Sequence, residues 1–399
     1  MSIFRKKATA GDAAPPPPRR RLSPRAIFWQ AALLVALAAI AAWLVMNARA
    51  ALDARGMTSG LGFLFDQAQF SLGEAFFVFH PGETYLTAFA VGLGNTVMVS
   101  VVSIITASLL GTLVGLARLS RNGLASGLAQ AYVYAFRNTP QLVQIVFWYS
   151  FFTLLPHARD SWSIGELIFA SNRGVALPAP ENGAVFAQAA AAGFVGFLVA
   201  WGVSILVERR RRRTGLRWKP LRLVQLALIL APALVVWAAA GAPADWSVPH
   251  LKGFNFKGGA TLSPEFLAIY FGLSFYIAAY IAEIVRAGIG SVDFGQFEAA
   301  NTIGLSKGDI YRRIVAPQAL RVIIPPLAAQ YVSLLKNSSL GVAIGYPDLF
   351  SISNTMLTYS GRTIEVLCIM AAVYLVMALA IGAVSNAANR YFAIPGRTS

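Results

Sequence analysis

The sequence predicts an all-α, polytopic membrane protein with about eight transmembrane helices, on three observations. Hydrophobic residues make up 57% of the chain, charged ones 13%, and the mean hydropathy is +0.60, which excludes an ordinary soluble globule. Several apolar runs reach the ~20 residues that a helix needs to cross ~30 Å of hydrocarbon. These runs are rich in Ala, Leu and Gly, and they lack the ~10-residue alternating segments of a membrane barrel.

Residues 1–26 read as a disordered basic tail, in which Pro15 to Pro18 are followed by Arg19, Arg20 and Arg21. The first span is Ile27–Met46. Its length, its late start and the lack of a small-x-small cleavage site favour a retained helix over a cleaved signal. Leu52–Glu83, with Asp53, Asp66, Glu74 and Glu83, is expected to be an external loop. The second span covers Leu86–Leu116 and stops at Arg118 and Arg121. The third enters amphipathically near Ala131, passes Arg137-Asn138-Thr139-Pro140 and ends at Leu155. Residues 156–183, with Pro156, Pro178 and Pro180, form another loop. The fourth span, Ala184–Val207, stops at the run Arg209 to Arg213. The fifth is Leu221–Gly241, the sixth Pro264–Val285, the seventh Val322–Ile344 and the eighth Ile364–Ala387.

A net charge of +16 could suggest nucleic acid, but the placement of the charge points elsewhere. With the N-terminus inside, the 33 Lys and Arg residues fall in or beside cytoplasmic segments, with few exceptions. Arg49, Arg55, Arg159, Arg173, Lys252, Lys257 and Arg362 lie outside, and Lys336 lies within a span. This is the positive-inside bias of a membrane protein, and it puts both termini in the cytoplasm. The charge therefore reads as topology and contact with membrane lipid, with no nucleic acid partner. Cys368 stands alone in an apolar run, so no intramolecular disulfide forms. His80, His157 and His250 are scattered in loop-like segments near prolines and suggest no metal site. No internal repeat is evident, which argues against an inverted-repeat secondary transporter.

Between spans six and seven, on the predicted cytoplasmic side, the chain runs Glu298-Ala299-Ala300, three residues, Gly304, nine residues, Ile314, two residues, Pro317. These residues suit a wet helix, a turn and a second short helix. Glu298 is expected to favour the helix N-terminal turn through the macrodipole. Ala299 and Ala300 are strong helix formers that keep the surface small enough for close approach of a partner. Gly304 lets the chain turn out of the helix. Lys307, Asp309, Arg312 and Arg313 keep the next segment in water, and Pro317 marks re-entry towards the membrane.

The spacing resembles the EAA loop of ABC importer permeases, the segment through which a permease is coupled to its ATPase. One departure is Ala316, where the family usually has Leu, which bears on local packing. Further matches resemble the polar amino acid permease family: Gly92-Leu93-Gly94-Asn95-Thr96, Arg137 to Gln144, Tyr280 to Arg286, and Lys336 to Leu340. They cover Tyr85–Pro156 and Leu262–Ala388, the five-helix core of such permeases. The resemblance implies the type I ABC importer transmembrane fold. It divides the chain into the tail (1–26), a first helix with a periplasmic loop (27–84), core (85–156), an insertion carrying two extra helices (157–262) and core again (263–399), with the coupling loop at 296–317. The long tail and insertion look like a subunit of a general L-amino acid importer of Gram-negative inner membranes.

The implied partners are an ABC ATP-binding subunit, a second homologous permease and a periplasmic amino acid-binding protein. No catalytic residue and no bound cofactor are expected here. The chain has no phosphate-cradling Gly-Lys-Ser/Thr loop, so the partner ATPase would use the ATP. The resemblance adds a possible ATPase contact to the reading of Arg209 to Arg213 as a topology anchor. An ion-coupled secondary transporter would explain buried polar groups but not the loop spacing. A membrane enzyme would need a convergent acid, base or nucleophile set, and none is evident.

Polar groups inside a bilayer cost free energy, about 2.5–3.5 kcal/mol for a central charge on insertion scales. Two readings stand for Lys336, Asn337, Ser338 and Ser339. They line a substrate path, or Lys336 snorkels while the others bond across helices. Asn138, Thr139 and Gln141, further candidates for the substrate path, surround Pro140, which removes a backbone donor and marks either a gating kink or a simple helix boundary. Glu283 and Arg286, three residues apart, read first as an intrahelical pair and second as substrate contacts.

Overall fold

The computed structural model describes residues 24–54, 60–73, 79–215, 218 and 220–392. Of the expected tail at 1–26, residues 1–23 lie outside the described part, as do 393–399, and residues 24–26 already belong to a helix. The chain divides after Leu61 into two units. The first holds one helix, α1 (Pro24–Asp53), which covers the first predicted span.

The second unit opens with a 3-10 turn at Gly62–Phe65 and a bridge from Gln67 to Thr84. The Thr84 hydroxyl then accepts from Thr87 N and caps α2 (Tyr85–Arg118). Next come α3 (Gly123–Asn138) and α4 (Gln141–Thr153), capped at Asn122 and broken at Thr139-Pro140. The insertion contributes α5 (Gly183–Thr214) and α6 (Leu221–Ala239). The second core part has α7 (Pro264–Gly290), α8 (Phe294–Thr302), α9 (Lys307–Ile310) and α10 (Ala316–Asn337). It finishes with a 3-10 segment at Ser338–Ile344, α11 (Leu349–Ser360) and α12 (Thr363–Phe392).

The core is α7. Leu273, Ile277, Ala278 and Ile281 are fully enclosed by residues of α2, α4 and α10, including Val99, Ile145 and Leu334. Gly111 and Gly115 of α2 lie over the Ala278 and Ala282 carbonyls, closer than a Cβ would allow. Small residues serve this purpose in membranes, where close backbone approach replaces a hydrophobic drive between helices.

Among the described residues, α2, α5 (Gly183–Val207), α6, α7 and α12 (Thr363–Asn389) are long and apolar enough to cross a membrane. The third predicted span is not one helix. Thr139 and Pro140 are extended, so this stretch is built as α3, a break and α4. The seventh is α10 followed by a 3-10 segment, with Pro325 and Pro326 inside the helix.

Two predicted loops hold structure that the sequence reading missed. Residues 156–183 and 242–262 build β1 (Trp162–Ile164), β2 (Ile168–Ser171), β3 (Gly174–Leu177) and β4 (Ala179–Pro180), then β5 (Trp246–Ser247), β6 (His250–Lys252), β7 (Asn255–Lys257) and β8 (Ala260–Leu262). The sheet order is β1-β2-β3-β8, with separate β4-β5 and β6-β7 pairs. Because β3 pairs with β8 and β4 with β5, the two ends of the α5–α6 hairpin are stitched together where it leaves the sheet. The stretch between the seventh and eighth predicted spans, to which the sequence reading gave no element, holds α11, whose Leu349, Ile352 and Met356 are buried with Tyr85, Phe89 and Val366.

Candidate functional site

The coupling-loop residues form a compact unit. Asp293 caps α8, its side chain accepting from Gly295 N at 2.8 Å. Glu298 is therefore the fifth residue of the helix, and the N-terminal electrostatic role assigned to it from the sequence belongs to Asp293. Glu298 and Ala299 face outward. Ala300 does not: it is 2% exposed and packs with Ile310 and Val315, against half-buried Phe297, Leu305 and Ile314. The two alanines thus have different jobs, Ala299 at the surface and Ala300 inside.

The turn follows at Gly304, where φ is +76 and Gly304 N donates to Asn301 O at 3.0 Å. Ser306 caps α9, and its hydroxyl also donates to Asp309 at 2.8 Å. A π turn at Tyr311–Val315 then runs straight into α10 through helical backbone at Val315 and Ala316, with Pro317 the second residue of α10, where it offers no amide to the preceding turn. Phe294 (71% exposed), Ile303 (73%) and Tyr311 (52%) put large apolar side chains on this otherwise polar surface.

At the α3–α4 break, Gln144 Nε2 donates to the carbonyls of Phe136 (2.8 Å), the acceptor that Pro140 leaves open, and Thr139 (3.0 Å), which lies between the two helices. Gln141, the first residue of α4, accepts from Asn337 Nδ2 at 2.6 Å. Two of the predicted path residues, 196 positions apart, are thereby joined. The others are not gathered with them. Asn138 is exposed, and the Thr139 hydroxyl turns back to Ala135 O at 2.9 Å. Ser338 is buried and donates to Leu335 O, while Ser339 donates to Lys336 O. Lys336 itself is exposed on the last turn of α10.

Glu283 binds more widely than an intrahelical pair. It accepts from Arg286, with Arg286 Nε at 3.1 Å, and from Arg118 of α2, while Arg137 at the end of α3 stands 4.0 Å away. Sequence reasoning missed Arg118 and Arg137 as partners, since nothing local marks a contact 165 residues distant.

It also missed the tie that seats α11. Asn95 Nδ2 donates to Pro347 O at 2.9 Å, Tyr346 OH donates to Asn95 O at 3.1 Å, and Leu349 N donates to Thr96 Oγ1 at 2.9 Å. Asp348, fully buried, caps α11 by accepting from Ser351 N at 2.8 Å. The signal for this tie was a polar Asn95-Thr96 pair inside an apolar run.

A helical core folded around α7, with five helices among the described residues long and apolar enough to cross a membrane, defines the class of a polytopic membrane protein. The chain belongs to the family of binding-protein-dependent transport system inner membrane components, whose profile matches residues 107–393. Over 377 residues it is 39% identical to the general L-amino acid transport system permease protein AapQ of Rhizobium johnstonii, covering 94% of this chain and 93% of that one. YhdX of Escherichia coli, provisionally named an amino-acid ABC transporter permease, is 41% identical over 375 residues, 94% of this chain and 95% of its own. BztB of Rhodobacter capsulatus, named as a glutamate/glutamine/aspartate/asparagine transport system permease protein, is 32% identical over 405 residues, 92% of this chain and 93% of its own.

Proposed function

We propose that this chain is a permease subunit of an ATP-driven importer that carries amino acids across the inner membrane from a periplasmic binding protein. The observation that carries the reading is the α8 loop. It has a rigid cap, an αL turn at Gly304, an outward Glu298-Ala299 edge and exposed Phe294, Ile303 and Tyr311 beside it. Exposed apolar side chains around a polar edge fit a protein partner. An ATPase subunit seated there would push on α7 and α10, the helices that the loop joins. The names of AapQ, YhdX and BztB support amino acids as cargo.

In this reading ATP is bound and hydrolysed by the partner, and the substrate path lies between this chain and a second homologous permease. Both termini and the α8 loop face the cytoplasm, and the β-sheets of the insertion face the periplasm. Gln141 and Asn337 hold α4 against the end of α10, and exposed Lys336 faces the path with Ser339 beside it.

The test is uptake of radiolabelled L-glutamine and L-glutamate into proteoliposomes holding the permease pair and ATPase, with binding protein outside. Uptake should require ATP on the ATPase side and ignore an imposed proton gradient. Uptake driven by the proton gradient without the ATPase would replace this reading with an ion-coupled carrier.

A further inference from the structure

Along α7, Tyr276, Tyr280, Glu283 and Arg286 recur at helical spacing and so share one face. The hydroxyls of Tyr276 and Tyr280 lie 3.1 Å apart. Above the Tyr280 ring, 5.0 Å from its centre, sits the guanidinium of Arg137 from the end of α3. This is a polar stripe in a membrane helix. At 1.5 Å per residue, Tyr280 stands about 15 Å inside the Gly290 end of α7. Ionisable groups at such depth face a protein interior or a wet cavity.

Charge in this cluster does not balance. Three arginines surround one carboxylate, and Glu283 is already engaged by Arg118 and Arg286. Among the described residues, Arg137 meets the Tyr280 ring and approaches Glu283 at 4.0 Å, with Tyr276 beside it, and its side chain stays 39% exposed. Among the described residues no hydrogen bond reaches its guanidinium. A ring face holds a guanidinium loosely compared with a carboxylate, which takes two parallel N–H bonds.

We propose that Arg137, presented by Tyr280, is a carboxylate-binding residue on the translocation path. It receives the α-carboxylate of the amino acid as it passes the cytoplasmic half of the membrane. The Tyr276 and Tyr280 oxygens, on the same face, accept from the substrate ammonium. Glu283 remains neutralised by Arg118 and Arg286, so it does not repel the incoming carboxylate. This assignment rests on the amino acid import reading above.

The experiment uses the complete transporter in proteoliposomes with radiolabelled L-glutamine as probe. It compares wild type, Arg137→Gln, Arg137→Lys and Tyr280→Leu. Loss of a charge-assisted contact predicts an uptake rate lowered about tenfold or more in Arg137→Gln. ATPase assembly and binding-protein-stimulated ATP hydrolysis should stay near wild type, and Arg137→Lys should recover part of the uptake. Wild-type uptake in Arg137→Gln would overturn the assignment. So would a parallel loss of ATP hydrolysis, since that marks a role in coupling or structure. Should Arg137→Gln fail to assemble, Tyr280→Leu decides: reduced uptake with intact hydrolysis supports the assignment, and unchanged uptake overturns it. If wild type itself shows no ATP-driven L-glutamine uptake, the import reading fails rather than the role of Arg137.

Discussion

Gly304 separates two kinds of constraint that a sequence motif runs together. Its φ of +76 lies in the left-handed region, and a Cβ added there would meet nothing within 4 Å. The constraint is conformational, and a β-branched residue would cost about 1–2 kcal/mol. Gly304→Asn should keep much of the uptake, because Asn tolerates this region, whereas Gly304→Val should lose most of it. Equal uptake in the two would remove the backbone explanation. Ala300 answers to packing instead. Ala300→Leu overfills the space between Ile310 and Val315 and should cost about 1–3 kcal/mol, read as a lower thermal midpoint of the purified permease. Glu298 and Ala299 face outward, so substitutions there should leave that midpoint unchanged.

Among the elements, α11 shows how a short helix is seated against a long one, α2. Its first amide is accepted by Thr96, and its approach is fixed by Asn95. Thr96→Val strands the buried Leu349 amide, a loss of about 1–3 kcal/mol that should appear as a lower thermal midpoint. An unchanged midpoint would mean that water replaces the hydroxyl. The α5–α6 hairpin behaves differently. Glu181 N donates to Asp245 O at 3.0 Å beside the β4–β5 pair, so the two ends of the insertion meet. Excising 183–241 and closing the gap with a short Gly-Ser turn should leave a folded, membrane-inserted core, checked by size-exclusion profile and thermal midpoint. Aggregation of that variant would show that the hairpin is part of the core.

What the sequence made legible follows from the range of each interaction. The α8 loop was readable because a helix, a turn glycine and a proline are local signals spaced along one segment, although its cap, Asp293, was not read. The long apolar helices were readable for the same reason. The strands of the insertion were not, since two to four residues carry no period of their own, and β3 finds β8 only across the hairpin. The break at Thr139-Pro140 was legible as a break but not as two helices bridged by Gln144. In the candidate site, Gln141 and Asn337 were each singled out, but their bond was not, and Arg118 and Arg137 were invisible as partners of Glu283. Such contacts depend on how α2, α3 and α7 pack, which no local pattern encodes.

At the scale of the whole molecule, the proposed function makes the exposed loop between α7 and α10 a lever on the helical core around α7. The reading requires that a partner ATPase act on that lever, and Ala299 offers the cleanest place to test it, being exposed and small. The decisive measurement is ATP-driven L-glutamine uptake by proteoliposomes holding the complete transporter with Ala299→Trp in this chain. The predicted result is uptake reduced to the level of empty vesicles, with the thermal midpoint of the permease and the substrate affinity of the binding protein unchanged. Wild-type uptake with that bulky side chain on the α8 surface would contradict the coupling role of the loop.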